Sequence, residues 1–233
     1  MPPASDSGVT GVPPSAQRMR IWDLPTRLFH WLLAASVIAL VLTGRQGVME
    51  WHFRIGYLVM ALLVFRILWG FAGGHWSRFA NFICTPQSLL AYLRGRSDPK
   101  HLIGHTPAGT LSVLAILTVL IVQVASGLMA DDEIAAAGPL TRFVSGATVN
   151  LATGWHKEAG QALVIALACL HVLAVLGYAL FRRDPLVRPM ISGDKILALT
   201  AKPSRDDAAS RLLALVLFAL CCALAYWVAS LRA

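Results

Sequence analysis

Five stretches of this chain, each about 20 residues long and nearly free of charge, leave few folds open to it. A helix of about that length crosses the hydrocarbon layer of a bilayer. Inside lipid every backbone N–H and C=O must be satisfied within the segment itself, and a helix does this. The stretches run at about 24–43, 51–72, 107–130, 157–181 and 211–231. Of the 233 residues only 14% are charged, where a soluble domain carries about a quarter. The expected class is an all-α integral membrane protein, a four-helix transmembrane bundle plus a fifth, C-terminal transmembrane helix.

The segments between the spans set the organisation. Residues 1–20 are rich in Pro, Ser and Gly and lack an apolar signal-peptide core, so they read as a disordered tail with no cleavable leader. Residues 21–195 form the membrane domain, and 196–233 a linker followed by the fifth span. Asp23 can cap the first helix, with Pro25 in its first turn. Gly73-Gly74 ends the second span, and Pro86 followed by QSLLAYLRG suggests a short surface helix closed by Gly95.

The net charge of +8 comes from clusters rather than from a continuous basic face. Arg18, Arg20 and Arg27 precede or open the first span, and Arg78, Arg94, Arg96 and Lys100 follow the second. Arg182, Arg183, Arg188, Lys195, Lys202, Arg205 and Arg211 lie between the fourth and fifth. The opposite side carries Arg45, Glu50, Asp131, Asp132, Glu133, Arg142, Lys157 and Glu158, which is near neutral. The positive-inside rule therefore predicts a cytoplasmic N-terminus and an external, periplasmic C-terminus, with membrane lipid and not nucleic acid as the environment. Cys84, Cys169, Cys221 and Cys222 show neither zinc-knuckle nor c-type haem spacing.

Two apolar runs open in one format, WHFRIG at 51–56 and WHKEAG at 155–160, each with glycine four residues after histidine. His52 and His156 thus sit at the outer ends of spans two and four. His30 lies near the inner end of span one and His171 deep in span four, ten residues before Phe181. His156 and His171 are fifteen residues apart, roughly 22 Å along the helix and about 60° in phase. The four therefore form two levels, His52 with His156 and His30 with His171. An ionisable group in a bilayer is costly unless it has a task, and coordination of a metal removes much of that cost. Facing imidazoles without a nearby Cys or carboxylate set suit bis-imidazole haem iron.

A flat cofactor between helices also needs missing side chains. Gly56 and Gly160 lie one turn below the outer histidines, while Gly44 and Gly127 fall near the same depth on spans one and three. Each item has a plainer reading: an intramembrane histidine can bond a neighbouring helix, and glycines can be close-packing positions. Arg66, inside span two near the inner level, has two readings, pairing with a haem propionate or snorkelling to the interface. His75, His101 and His105 are by default solvated loop residues, with His105 a second candidate for a quinone head group or a proton path.

WDLPTRLFHW (22–31), WHFRIGY (51–57), FRILWGF (65–71), GHTPAG (104–109), WHKEAGQ (155–161), the LHV around His171 and LVRPMISGDK (186–195) together resemble the bacterial and nickel-iron-hydrogenase-type branch of the cytochrome b561 family. The resemblance covers about residues 20–195. It implies a haem-binding four-helix bundle holding two non-covalent haem b groups through His30, His52, His156 and His171, and electron exchange between quinone and redox partners. The expected role is then an electron conduit of the bacterial inner membrane. It would link the ubiquinone or menaquinone pool to a periplasmic partner such as a c-type cytochrome, with Asp131-Asp132-Glu133 as a docking patch. The membrane anchor subunit of a hydrogenase is the alternative, and a histidine-based metal or proton transporter is the alternative of another class. The fifth span lies outside the resemblance; packing on the bundle, forming a homodimer and docking a partner subunit all remain open.

Overall fold

The first helix, α1 (Leu24–Arg45), starts where Asp23 turns the chain from extended to helical backbone and accepts the Thr26 N–H at 2.8 Å. The structure, a computed structural model, describes residues 17–96, 103–134, 136–182, 186–197 and 201–231. The expected tail up to residue 16 and His101 lie outside the described residues. We call the end from which α1 departs basal and the opposite end distal. α2 (Met49–Ala72) returns to the basal end and stops at Gly73. A short helix, α3 (Pro86–Leu93), follows, capped by Thr85 and closed by a left-handed Gly95. α4 (Pro107–Met129) climbs again behind a Thr106 cap.

The fourth span departs from expectation. It is one rod from Gly146 to Phe181, 36 residues, about 54 Å at helical rise and well beyond a hydrocarbon layer of about 30 Å. It begins eleven residues before the predicted start because Ser145 caps α5 (Gly146–Gly154) by accepting the Thr148 N–H. A π turn (Trp155–Ala159) joins α5 to α6 (Gly160–Gly177), and a second π turn (Tyr178–Arg182) ends the rod. After the short α7 (Val187–Ser192), the fifth span forms α8 (Ala208–Ser230).

A small antiparallel sheet joins the two ends of the membrane domain. β1 (Gln17–Arg20) pairs with β2 (Asp194–Leu197), Arg20 opposite Asp194. These four residues of the expected tail are therefore ordered strand. Gly193, at φ 88°, supplies the turn into β2, and its carbonyl accepts the N–H groups of Ile21 and Trp22 at 2.9 and 3.0 Å. A side chain at 193 would meet both the unfavourable φ and the Trp22 carbonyl.

The core is built on α2, whose Val59, Ala61, Leu62, Leu63, Phe65 and Trp69 are buried between α1, α4 and α8. α8 presents Ser210, Ala214, Cys221, Ala225 and Val228 as its buried face. That is small-xxx-small spacing, which lets helix backbones approach inside lipid. Of the three roles open to the fifth span, packing on the bundle is the one the fold displays. The linker before it is also part of the fold: Ser204 Oγ donates to the Ile21 carbonyl, and Asp206 accepts the N–H of Leu24 at 3.1 Å.

Candidate functional site

Four partly buried histidines meet in two pairs across the bundle. His30 on α1 faces His171 on α6 near the basal end, with ring centroids 6.3 Å apart. His52 on α2 faces His156 in the π turn near the distal end, at 6.0 Å. An imidazole nitrogen binds a first-row metal at about 2.0–2.1 Å and sits about 1.1 Å from its ring centre, so two imidazoles on opposite faces of one ion have centroids about 6.2 Å apart. Both pairs fit a bis-imidazole iron. Among the described residues no group of three or more His, Cys, Asp or Glu side chains could hold a metal ion.

The distal pair is held by main chain. His52 Nδ1 lies 3.1 Å from the Leu40 carbonyl of α1, and His156 Nδ1 lies 2.9 Å from the Gln123 carbonyl of α4. A carbonyl can only accept, so Nδ1 carries the proton in each ring and Nε2 keeps its lone pair. Thr43 and Ser126 hydroxyls stand farther off, at 3.4 Å from the same nitrogens. The π turn helps aim His156. Its wide hydrogen bond runs from the Gly160 N–H to the Trp155 carbonyl, and the Gln123 side-chain amide donates to the His156 carbonyl at 2.9 Å. Single π turns inside helices recur at functional sites.

The glycines divide by role. A Cβ at Gly44 would stand 3.2 Å from His52 Cε1, and one at Gly127 would stand 2.6 Å from His156 Cε1, so both positions seat imidazole rings. A Cβ at Gly56 would meet nothing within 4 Å. At Gly160 a side chain would run into Gln123 and the Trp155 indole, so its bareness also serves the π turn. Gln123 and Ser126 join Gly127 as partners of His156 that the sequence reading does not name. Their signal was a polar side chain at i and i+3 followed by glycine in an otherwise apolar span.

The basal level is surrounded by side chains. His30 Nδ1 is buried and has no hydrogen-bond partner among the described residues. Arg66 is 3% exposed, which excludes snorkelling. Its guanidinium donates to the Ser77 carbonyl at 3.2 Å and lies 4.9 Å from the Phe79 ring centroid. Asp23, fully buried, accepts from Thr26 N, Trp69 Nε1, Gly74 N and Ser77 Oγ. His105 is no solvated loop residue: its ring is held edge-on to Trp22 and tilted against Phe82, each centroid 4.7 Å away, with Nδ1 buried. Burial first, and then the charges of Arg66, His30 and His171, push its pKa down to about 3. His75 sits in a basal surface turn beside Asn81.

Beneath them, burial pushes the Asp206 carboxyl up, but hydrogen bonds from Arg211 and Leu24 N–H, with the charges of Arg211 and Arg20, bring it below its ordinary value. At the distal end, the acidic patch is largely occupied with its own loop. Asp131 accepts the Glu133 N–H, and Asp132 accepts those of Ile134 and Ala136.

One protein family, described as prokaryotic cytochrome b561, matches residues 21–193. Relatives of nearly the same length also align with the chain. A protein of Cupriavidus necator is 25% identical, over 81% of this chain and 91% of its own. One from Bradyrhizobium diazoefficiens is 22% identical, over 75% and 85%, and one from Azotobacter vinelandii 24%, over 74% and 86%. Each is named "Probable Ni/Fe-hydrogenase B-type cytochrome subunit". No solved structure matches the chain.

Proposed function

Because this chain belongs to the prokaryotic cytochrome b561 family, as a multi-pass membrane cytochrome b that binds haem b, we propose that it is a two-haem electron conduit between the quinone pool and a redox subunit docked at its distal face. The observation that carries this reading is the pair of imidazole spans, 6.3 and 6.0 Å, at two levels of one bundle. His30 and His171 would hold the basal haem and His52 and His156 the distal one. Haem, when bound, supplies a one-electron couple.

The chain's own residues do the rest. The Leu40 and Gln123 carbonyls fix the tautomer of the distal ligands, so that Nε2 points into the bundle. Gly44 and Gly127 let those rings pack close against α1 and α4. α2, with its apolar flank, keeps water away from both levels. Arg66, a buried cation at the basal level, would pair with a haem propionate. By the distribution of basic residues, the basal end faces the cytoplasm and the distal end the periplasm of a bacterial inner membrane.

A hydrogenase is the partner we favour, since the aligned relatives are named as B-type cytochrome subunits of a Ni/Fe-hydrogenase. A basic c-type cytochrome is less well supported, because two of its three proposed docking carboxylates already brace their own loop. A pyridine haemochrome assay on purified protein tests the core of the proposal. We expect two haem b per chain, falling to one in His30→Ala, His171→Ala, His52→Ala and His156→Ala alike. A colourless protein, or ligand variants that keep both haems, would refute it. Affinity purification from native membranes should recover hydrogenase subunits; recovery of a c-type cytochrome alone would reverse the choice of partner.

A further inference from the structure

The two levels differ in what holds their ligands, and resting on the two-haem reading this has an electrochemical consequence. Both distal imidazoles donate Nδ1–H to a main-chain carbonyl, at 3.1 and 2.9 Å. Such a bond shifts electron density toward Nε2 and makes the ring a more basic ligand, which favours ferric over ferrous iron. At the basal level His30 Nδ1 is buried without an acceptor, and no ring hydrogen bond is seen for His171 among the described residues.

Other influences on potential either agree or are small. All four rings are partly buried, so exposure does not separate the levels. The charges near the distal end, such as the Glu50–Arg54 pair, are exposed and screened by salt. Arg66 at the basal level is buried and cationic, which favours the electron-bearing state there. Asp23 offsets part of that effect, but four donors already neutralise much of its field. Lys157, beside His156, opposes this, but it is exposed and its field is screened, so the buried influences point the same way.

We infer that the Leu40 and Gln123 carbonyls are tuning groups that hold the distal haem at a lower midpoint potential than the basal haem, so that an electron entering the bundle comes to rest at the basal level. Gln123 is a positioning residue here. Its side chain pins the His156 carbonyl while its own carbonyl accepts from the His156 ring, a two-point clasp across α4 and the π turn.

The test is a potentiometric titration of the full-length holoprotein, read from its visible haem bands. We expect two one-electron components with at least a tenfold preference for the higher one, about 59 mV. The lower component should vanish in His52→Ala and in His156→Ala, and the higher one in His171→Ala. Gln123→Leu, which opens the clasp, should raise the lower midpoint and leave the higher unmoved. A merely structural role for Gln123 would instead reduce haem content at an unchanged potential, and that result would overturn its assignment as a tuning residue. Two haems with coincident potentials, or with the lower component lost in His171→Ala, overturn the inference while leaving the two-haem reading intact. A preparation with one haem or none overturns both.

Discussion

The basal and distal ends of this bundle are built by different means. At the basal end side chains do the joining: Asp23 ties together α1, α2 and the turn at Ser77, Ser204 ties the linker to Ile21, and Arg20 bridges Asp194 and Asp206. At the distal end the main chain and the lack of side chains do most of it, through the Leu40 and Gln123 carbonyls and the bare faces of Gly44 and Gly127, with the Gln123 side chain adding one bond to the His156 carbonyl. The contrast teaches where each end is vulnerable. Removing the Asp23 side chain should harm the basal end most, and filling the bare face of Gly127 should harm the distal pair of rings most.

The sharpest way to break this comparison is Asp23→Ala. It strands Thr26 N, Trp69 Nε1 and Gly74 N in a fully buried site, while Ser77 Oγ keeps the Thr26 hydroxyl, and each such loss costs about 1–3 kcal/mol. We expect a stability loss of about 3 kcal/mol or more by thermal denaturation in detergent, with the basal haem lost first. Next comes Gly127→Ala. The new methyl would stand 2.6 Å from His156 Cε1, and overpacking of this kind costs about 1–3 kcal/mol. Here the distal haem should be lost selectively, leaving the basal spectrum unchanged. If Gly127→Ala kept full distal occupancy, the addition half of the comparison would fail.

Acidification probes the basal end by titration. His105 stays neutral in the folded protein down to about 3, whereas the unfolded chain takes up a proton below its ordinary 6.5. The unfolded state therefore binds more protons between those values, and stability falls steadily as pH drops through that window. The lowered Asp206 adds a further loss below its ordinary 3.8, as its carboxylate protonates. His105→Leu should flatten the decline between the upper and lower limits and leave the Asp206 component in place. Melting curves of both proteins across that range decide it. The smallest effect belongs to Arg18→Ala. It breaks an ion pair with Asp194 whose arginine side chain is 72% exposed, and such pairs are worth about 0.2–1 kcal/mol. A melting shift as large as that of Asp23→Ala would mean that the sheet, not Asp23, anchors this end.

The sequence made the spans legible because lipid imposes one requirement on every backbone group, and apolar length meets it. It made the pairing of the histidines legible for a similar reason, since rise and phase along a straight helix are fixed. What it hid depends on departures from regular geometry or on contacts distant in the chain. The π turn at Trp155–Ala159 carries no compositional mark, and the Leu40 carbonyl has no side chain to announce it. Residues 17–20 looked like tail because β1 is stable only with β2, 176 positions away at Arg18 and Asp194. His105 looked solvated because its neighbours Trp22 and Phe82 come from two other segments.

The contact between Asp206 and the first N–H of α1 has a bearing on how such a protein is made. The opening helix leaves the ribosome long before residues 204 and 206 exist, so its basal mouth stays unsealed through most of translation. The linker into α8 thus fastens the start of α1 from beneath, a contact that a chain cut short before residue 204 cannot make.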